Sequence, residues 1–275
     1  MKSESKTLYI PLYAKAYVSG RGLILHDEHA ERIWDTEGFP LGRRARSKWL
    51  AFFLGMRARV FDEWVRERVR SERNVAVLHI GCGMDARVMR IGARFGTWYD
   101  IDFPEVISER RKYFDDGERY CMIGADLRSH DFLSQITEKH AVVILEGVSM
   151  YVSADELKGL FSALGEHFES YEMLLDTYSV LAAKMSKLKN PVHGVGVSTV
   201  TGVNCAEELL CEGLSFVGGH EMTPARMIDE LSGTERFWFR TLYGGKLARS
   251  LYRIYEYAWH ASHKAPCENN EKESE

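Results

Sequence analysis

Apolar positions along this chain alternate between short unbroken runs and longer stretches of three-to-four spacing, the pattern of strands and helices taken in turn. Val75 to His79 and Ala141 to Leu145 are continuously apolar or nearly so, as expected of parallel strands buried on both faces. Further strands are expected at Thr97 to Ile101, ending on Asp102, at Tyr120 to Ala125, at Tyr171 to Leu175 and at Leu214 to Gly218. Leu251 to Trp259 fits either period, and a strand is the better reading because it completes the sheet.

Between the strands the helical signals are local. Asp27 can cap a short helix carrying Ala30, Ile33 and Trp34, and after Gly38-Phe39-Pro40 a longer one shows Trp49, Phe53, Met56, Val60 and Trp64 on one side. Pro104 suits the first turn of a helix to about Phe114, and Asp131 to Thr137 makes a short one. Ser153-Ala154-Asp155-Glu156 is a capping box ahead of the stripe Leu157, Leu160, Phe161, Leu164 and Phe168. Val180 to Leu188, Cys205 to Cys211 and Pro224 to Leu231 also read as helical. Thr7 to Gly22, with Pro11, Gly20 and Gly22, lacks a clear period and reads as an irregular lead-in; it is too apolar to float free and belongs to a lid. The stretch from Asn190 turns glycine-rich and β-branched, where an insertion shaping an acceptor pocket would sit.

The expected architecture is an α/β, Rossmann-like, mostly parallel seven-stranded sheet with helices on both faces. One domain is expected over 1–265, with a helical lid at 1–73, a core at 74–265 interrupted near 190–218, and a disordered polar tail at 266–275. Net charge is -4 and acids are interleaved with bases, so nothing recommends nucleic acid or an anionic membrane as partner. The five cysteines are scattered without metal-ligand or disulfide spacing, which suits a reducing cytoplasm and no metal site. The most apolar run, Leu50 to Met56, is far too short to span a bilayer.

Candidate chemistry gathers at the carboxyl ends of the strands, where parallel sheets hold ligands. Gly81-Cys82-Gly83 after the first strand lets backbone approach a ligand, and Asp102, about twenty residues on, can accept two ribose hydroxyls, so the cofactor is expected to contain adenosine. Asp126-Leu127 and Glu146-Gly147 end the third and fourth strands in the same way. Arg59 falls at the edge of an apolar helix stripe, from where it can reach around into a cleft or simply cover the surface.

The runs His79 to Arg87, Asp100-Ile101-Asp102-Phe103-Pro104, Asp126-Leu127 and Glu146 to Tyr151, with Pro11 to Ala16 and Met56 to Val60, resemble in order and spacing the leucine carboxyl methyltransferase family of class I S-adenosylmethionine enzymes, in its bacterial polyketide branch. The resemblance covers about Leu8 to Tyr178. It implies S-adenosylmethionine as cofactor, S-adenosylhomocysteine as product, and a carboxylate or hydroxyl oxygen of a small molecule as methyl acceptor. It also implies roles. Arg59 with Lys15 would hold the methionine carboxylate, Gly81 and Gly83 would line the cofactor, and Asp102 would take the ribose. Asp126 and Leu127 would flank the adenine, and Glu146 would lie at the methionine end. Ala86 departs from the family, which usually has threonine there.

A carboxylate acceptor needs no general base; a phenol or enol would be helped by one, and His26, Tyr178, His193 and His220 are the candidates, with no catalytic residue assigned. Three rival readings bear on the same residues. A serine hydrolase could use Ser149 with Asp176 and His193, but Tyr151 stands where a nucleophile elbow needs a small residue, and the next helix is capped only at Ser153. An NAD-dependent oxidoreductase satisfies the glycine pattern but gives no account of Arg59, Asp126-Leu127 or Glu146. A cofactor-binding protein without turnover would keep the same residues.

Overall fold

The computed structural model describes residues 8–39, 41–71, 74–92, 95–189 and 201–260. Seven strands, β1 (Ala76–Ile80), β2 (Trp98–Asp102), β3 (Tyr120–Gly124), β4 (His140–Leu145), β5 (Ser170–Tyr178), β6 (Leu214–His220) and β7 (Tyr252–His260), form one sheet in the order β3-β2-β1-β4-β5-β7-β6. The first five run parallel and β7 enters antiparallel between β5 and β6. The strand order reverses between β1 and β4, which opens a crevice at their carboxyl ends.

Helices α1 (Tyr9–Ser19), α2 (Glu28–Glu37) and α3 (Lys48–Ser71) cover one face of the sheet. Alternate residues of the central strands separate the two cores: Val77, Val142, Ile144, Leu174 and Ile254 pack towards α3, whereas Leu78, Val143, Leu145, Met173 and Leu175 pack towards the later helix α6 (Ala154–His167). The remaining helices are α4 (Arg87–Ile91), α5 (Pro104–Arg110), α7 (Val180–Lys189), α8 (Ala225–Ile228), α9 (Gly233–Tyr243) and α10 (Lys246–Leu251). Asp27 caps α2 through its carboxylate and the Ala30 N–H, and the Ser153–Glu156 capping box is complete.

The lead-in expected to be irregular is helical. Pro11 sits in the first turn of α1, where its missing N–H costs nothing, and α1 is buried on several sides, so no single apolar stripe betrays it. The helix from Pro104 stops at Arg110, and the segment at 205–211 holds only a single 3-10 turn, Ala206–Leu209. The final apolar segment divides, with α10 leading into β7 as the last strand. Helix α9 was not expected from the pattern. The 190–200 part of the supposed insertion, His193 and the 266–275 tail lie outside the described residues.

Candidate active site

Loop 81–83 leaves β1 under tight steric control. Gly81 takes φ +71°, its N–H donates to the Ile101 carbonyl at 2.7 Å, and a Cβ there would lie 2.3 Å from Val148 Cγ2. Gly83 takes φ +53°, with Leu8 standing 3.3 Å from where its Cβ would be, so the start of the N-terminal helical layer touches the loop. Cys82 is buried and burial pushes its thiol up, so it packs as a small apolar residue and is no nucleophile. At the end of β2 the Asp102 carboxylate accepts from the Gly83 and Phe103 N–H groups, each at 2.8 Å. Burial raises its pKa, and those two donors oppose the rise.

Arg110, which the sequence did not single out, fixes this loop from below. Its guanidinium donates to the Gly83 carbonyl at 3.0 Å and pairs with buried Asp100, which also accepts from Tyr120 and Trp98. The only sequence signal was an arginine on the inner face of a short helix.

Asp126 follows β3 and is clamped by Arg128, at 2.6 Å, while Leu127 packs at the edge of the α6-side core. Glu146 follows β4 and is buried; burial alone would raise its carboxyl, but Arg87, Arg57 and Lys15 outweigh that and hold it at about 2. Lys15 on α1 reaches Asp85 at 3.0 Å, and Asp85 is likewise held far below the usual carboxylate range, burial being overcome by Arg90, Lys15 and Arg87.

The arginine that joins this group is Arg57. Its Nε lies 3.0 Å from Glu146 and its Nη1 2.8 Å from Asp176, and it covers Gly147, whose φ of +73° presents no Cβ to it. Arg59 is elsewhere. It contacts Glu63 at 3.1 Å, Glu230 at 2.5 Å and the Ile24 carbonyl at 2.9 Å. Two residues along a helix is roughly 200° of rotation, so when Arg57 faces the sheet Arg59 must face away. Arg57 was overlooked because the apolar stripe read from the sequence ran past it, although α3 buries it as deeply as its apolar neighbours.

Lys15, Arg57, Arg87 and Arg90 are linked by ion pairs to Asp27, Asp62, Asp85, Glu146 and Asp176, four cations to five carboxylates. Such a network is poor evidence for stability but strong evidence for fixed geometry, since losing one member strands buried charge.

Ser149 is buried, and its hydroxyl donates to the Asp176 carbonyl, while the Asp176 carboxylate is taken by Arg57 and the Gly147 N–H. Neither is available as a member of a hydrolase triad. Tyr178 is no base: burial, with Tyr252 and Tyr151 beside it, pushes its phenol well above the ordinary value, so it stays protonated. His26 is exposed against Glu28, and His220 is bonded to Glu256 at 2.6 Å at the far side of the sheet. Among the described residues no group of three or more His, Cys, Asp or Glu side chains is placed to hold a metal ion, and no helix is long and apolar enough to cross a membrane.

The family model described as "Leucine carboxyl methyltransferase" matches residues 2–165. The chain belongs to the leucine carboxyl methyltransferase family. It is 26% identical over 182 residues, 66% of this chain and 67% of the other, to the tetracenomycin polyketide synthesis O-methyltransferase TcmP of Streptomyces glaucescens. It is 29% identical over 184 residues, 59% of this chain and 61% of the other, to an S-adenosyl-L-methionine-dependent methyltransferase of Gibberella zeae. Among solved structures, a DUF574 family protein from Streptomyces avermitilis has a TM-score of 0.56 at 12% identity, covering 92% of this chain and 97% of that one. The N-methyltransferase NodS of Bradyrhizobium japonicum, solved with S-adenosylhomocysteine, has 0.50 at 12%, covering 75% and 87%. At such identity these two speak for the fold alone, the class I methyltransferase fold.

As a leucine carboxyl methyltransferase family member the chain is an S-adenosylmethionine-dependent methyltransferase, and the hydrolase and NAD-dependent readings fall away. The residues fit that cofactor. Glycines with positive φ turn the backbone sharply after β1, a carboxylate ends β2, and a charge cluster of both signs stands at the end of β4.

Proposed function

We propose that the chain transfers a methyl group to an oxygen of a small-molecule acceptor. The observation that carries this reading is the Arg57–Glu146–Asp176 cluster at the end of β4 and β5, beside the glycine loop and Asp102. Asp102 would accept the ribose hydroxyls, Gly81 and Gly83 would let the loop close on the cofactor, and Asp126 with Leu127 would border the adenine. Lys15 and Arg57 would meet the methionine carboxylate, with Arg57 in the role first read for Arg59, and Glu146 would face the ammonium end. The N-terminal helices would act as a lid over this site, since Leu8 and Lys15 of that layer already touch the loop and Asp85.

When bound, S-adenosylmethionine supplies a methyl group on a positively charged sulfur; all else is alignment by the protein. A carboxylate oxygen is already ionised at neutral pH and needs no proton removed, whereas a phenol would need a base, and Tyr178, whose phenol burial keeps protonated, does not supply one. The family name and the O-methyltransferase named for the Streptomyces relative support oxygen over nitrogen as acceptor. The test is calorimetric titration with S-adenosylhomocysteine and NAD, followed by turnover with methyl-labelled cofactor and NMR of the product. Micromolar binding of the first alone, and a methyl shift characteristic of O–CH3, are expected. Transfer to nitrogen or carbon would overturn the oxygen assignment.

A further inference from the structure

Helix α9 is apolar on two sides. Phe239 is buried against Phe52, and Glu235, one turn earlier, is held by Arg21 and Lys48 at 3.0 Å each. A surface helix ordinarily turns its other side to water with polar residues. Here Phe237, Trp238 and Leu242 point outward instead, 64%, 49% and 57% exposed, and Leu247 on α10 is 70% exposed. Phe237 and Trp238 stand edge to face at 5.4 Å.

Charge follows the same segment. The balance of acids and bases over the whole chain, which recommends no anionic partner, does not hold here. Residues 232–253 carry Arg236, Arg240, Lys246, Arg249 and Arg253 against Glu235 alone, and Glu235 is buried. From outside the segment, Asp229 pairs with Arg240 at 2.6 Å and lies 3.9 Å from Arg236, and Glu221 takes Arg249 at 2.7 Å. Those pairs are half exposed and hold the arginines only weakly. Helix α7 repeats the pattern: Leu181, Lys184 and Met185 are exposed, and no acid occurs between Asp176 and Glu207. The two segments meet at the carboxyl edge of the sheet, where the Ser179 N–H donates to the Leu251 carbonyl at 2.9 Å and Tyr178 meets Tyr252 at 4.8 Å.

We infer that α9 and α10, with the start of α7, form a peripheral docking surface for an anionic lipid bilayer. A helix that lies in the interface needs aromatic and leucine side chains to enter the acyl boundary and bases beside them to meet the headgroup phosphates. It does not need the length or apolarity of a spanning helix, which no helix among the described residues has. Arg240 lies about 60° round α9 from Phe237, so its head can stay among headgroups while the ring enters. An acidic protein would also answer the charge, but it would have to supply sockets for Phe237, Trp238 and Leu247, which project from the outside of their helices. A fluid bilayer closes around projecting rings, and tryptophan suits its interface. Docked in this way, the protein would hold the carboxyl edge of its sheet close to the bilayer.

The test is flotation of the full chain with vesicles of phosphatidylcholine alone and of phosphatidylcholine mixed with phosphatidylserine. Binding to the mixed vesicles is expected, with little to the neutral ones, and it should weaken as salt is raised. Trp238→Ala with Leu247→Ala should weaken binding to mixed vesicles by about tenfold or more, since each removes an apolar side chain from lipid. Arg240→Gln with Arg249→Gln should weaken it by about tenfold and flatten the salt dependence. All four residues are exposed, so thermal midpoints should stay near that of the parent, which reports that the variants are folded. No binding to mixed vesicles at low salt, or parent-like binding by the Trp238→Ala, Leu247→Ala variant, would overturn the proposal. So would a parent that ignores vesicles but dimerises through Trp238 and Leu247, which would give the face to a second copy of the chain. Retention on duplex DNA in place of vesicles, lost with the arginine pair, would give the bases to nucleic acid and equally remove the lipid assignment.

Discussion

Arg57 and Glu146 join helix α3 to the end of β4 through a contact of 3.0 Å, and Arg59, two residues on, takes no part in it. Arg57→Lys should therefore weaken the intact cofactor by about tenfold or more, since a charge-assisted hydrogen bond is worth ~1.5–3 kcal/mol. An analogue lacking the methionine carboxylate should lose far less. Arg57→Ala would confuse binding with folding, because stranding Glu146 and Asp176 costs roughly 3–5 kcal/mol. Arg59→Ala should leave cofactor affinity unchanged in calorimetry. A selective loss of the intact cofactor on Arg59→Ala instead would return the carboxylate role to that residue.

Asp102→Asn keeps a side-chain oxygen for one of its two backbone donors but removes the charge. Cofactor affinity should fall about tenfold or more, while the thermal midpoint moves by only a few degrees, as expected of about 1 kcal/mol in a chain of this size. Unchanged affinity for S-adenosylhomocysteine would show that Asp102 serves the Gly83 loop and not the ribose.

What the sequence made legible is local and what it hid is relational. The continuous apolar run Ala141 to Leu145, the Ser153 capping box and the carboxylates Asp102, Asp126 and Glu146 at or just after the ends of β2, β3 and β4 are signals carried by neighbours in the chain, and the structure has each at that place. Helix α1 escaped because it is buried around much of its surface, which erases the period by which a surface helix is found. Arg57 escaped for a related reason: a buried arginine looks like an interruption of an apolar stripe until Glu146 and Asp176, 89 and 119 residues away, are seen to meet it. Phe53 meets Tyr243 and Tyr252 from the other end of the chain, a contact that no local pattern foretells.

Acid should unfold the protein through its paired carboxylates. Glu146 titrates at about 2 in the fold against an ordinary 4.5, and Asp100 at about 2 against 3.8, in both cases because neighbouring cations overcome burial. Groups depressed by folding contribute stability that is full above their unfolded pKa and is lost as pH falls through the folded one. Asp102 and Asp176, raised by burial, act in the opposite sense and soften the loss. Denaturant midpoints should thus fall between about pH 4.5 and pH 2. Glu146→Gln, less stable at neutral pH, should show a shallower fall over that interval; parallel curves would mean that Glu146 does not set it.

Ser149 donates to the Asp176 carbonyl from a buried position, and its role is to hold the turn after β4 against β5. Ser149→Ala should cost about 1 kcal/mol of stability, the worth of one net hydrogen bond, and leave turnover within about twofold. A fluorophosphonate should not label the parent protein. Stoichiometric labelling at Ser149 would reopen the hydrolase reading.

Gly81 offers the sharpest separation of backbone from side-chain effects. Alanine there meets two obstacles: a φ of +71°, which L-residues rarely adopt, and Val148 Cγ2 at 2.3 Å from the new Cβ. The first costs roughly 1–2 kcal/mol wherever the loop sits, and the second must push Val148 and the turn before Ser149 outward. Since Gly81 also anchors the loop by its N–H to Ile101, movement would carry Gly83 away from Asp102. Gly81→Ala should therefore weaken cofactor binding by about a hundredfold while the fold survives, and adding Val148→Ala should recover part of that loss by removing the clash but not the strain. If the double variant binds no better than the single one, backbone strain alone governs the loop; if Gly81→Ala binds as the parent does, the cofactor does not pass over this glycine.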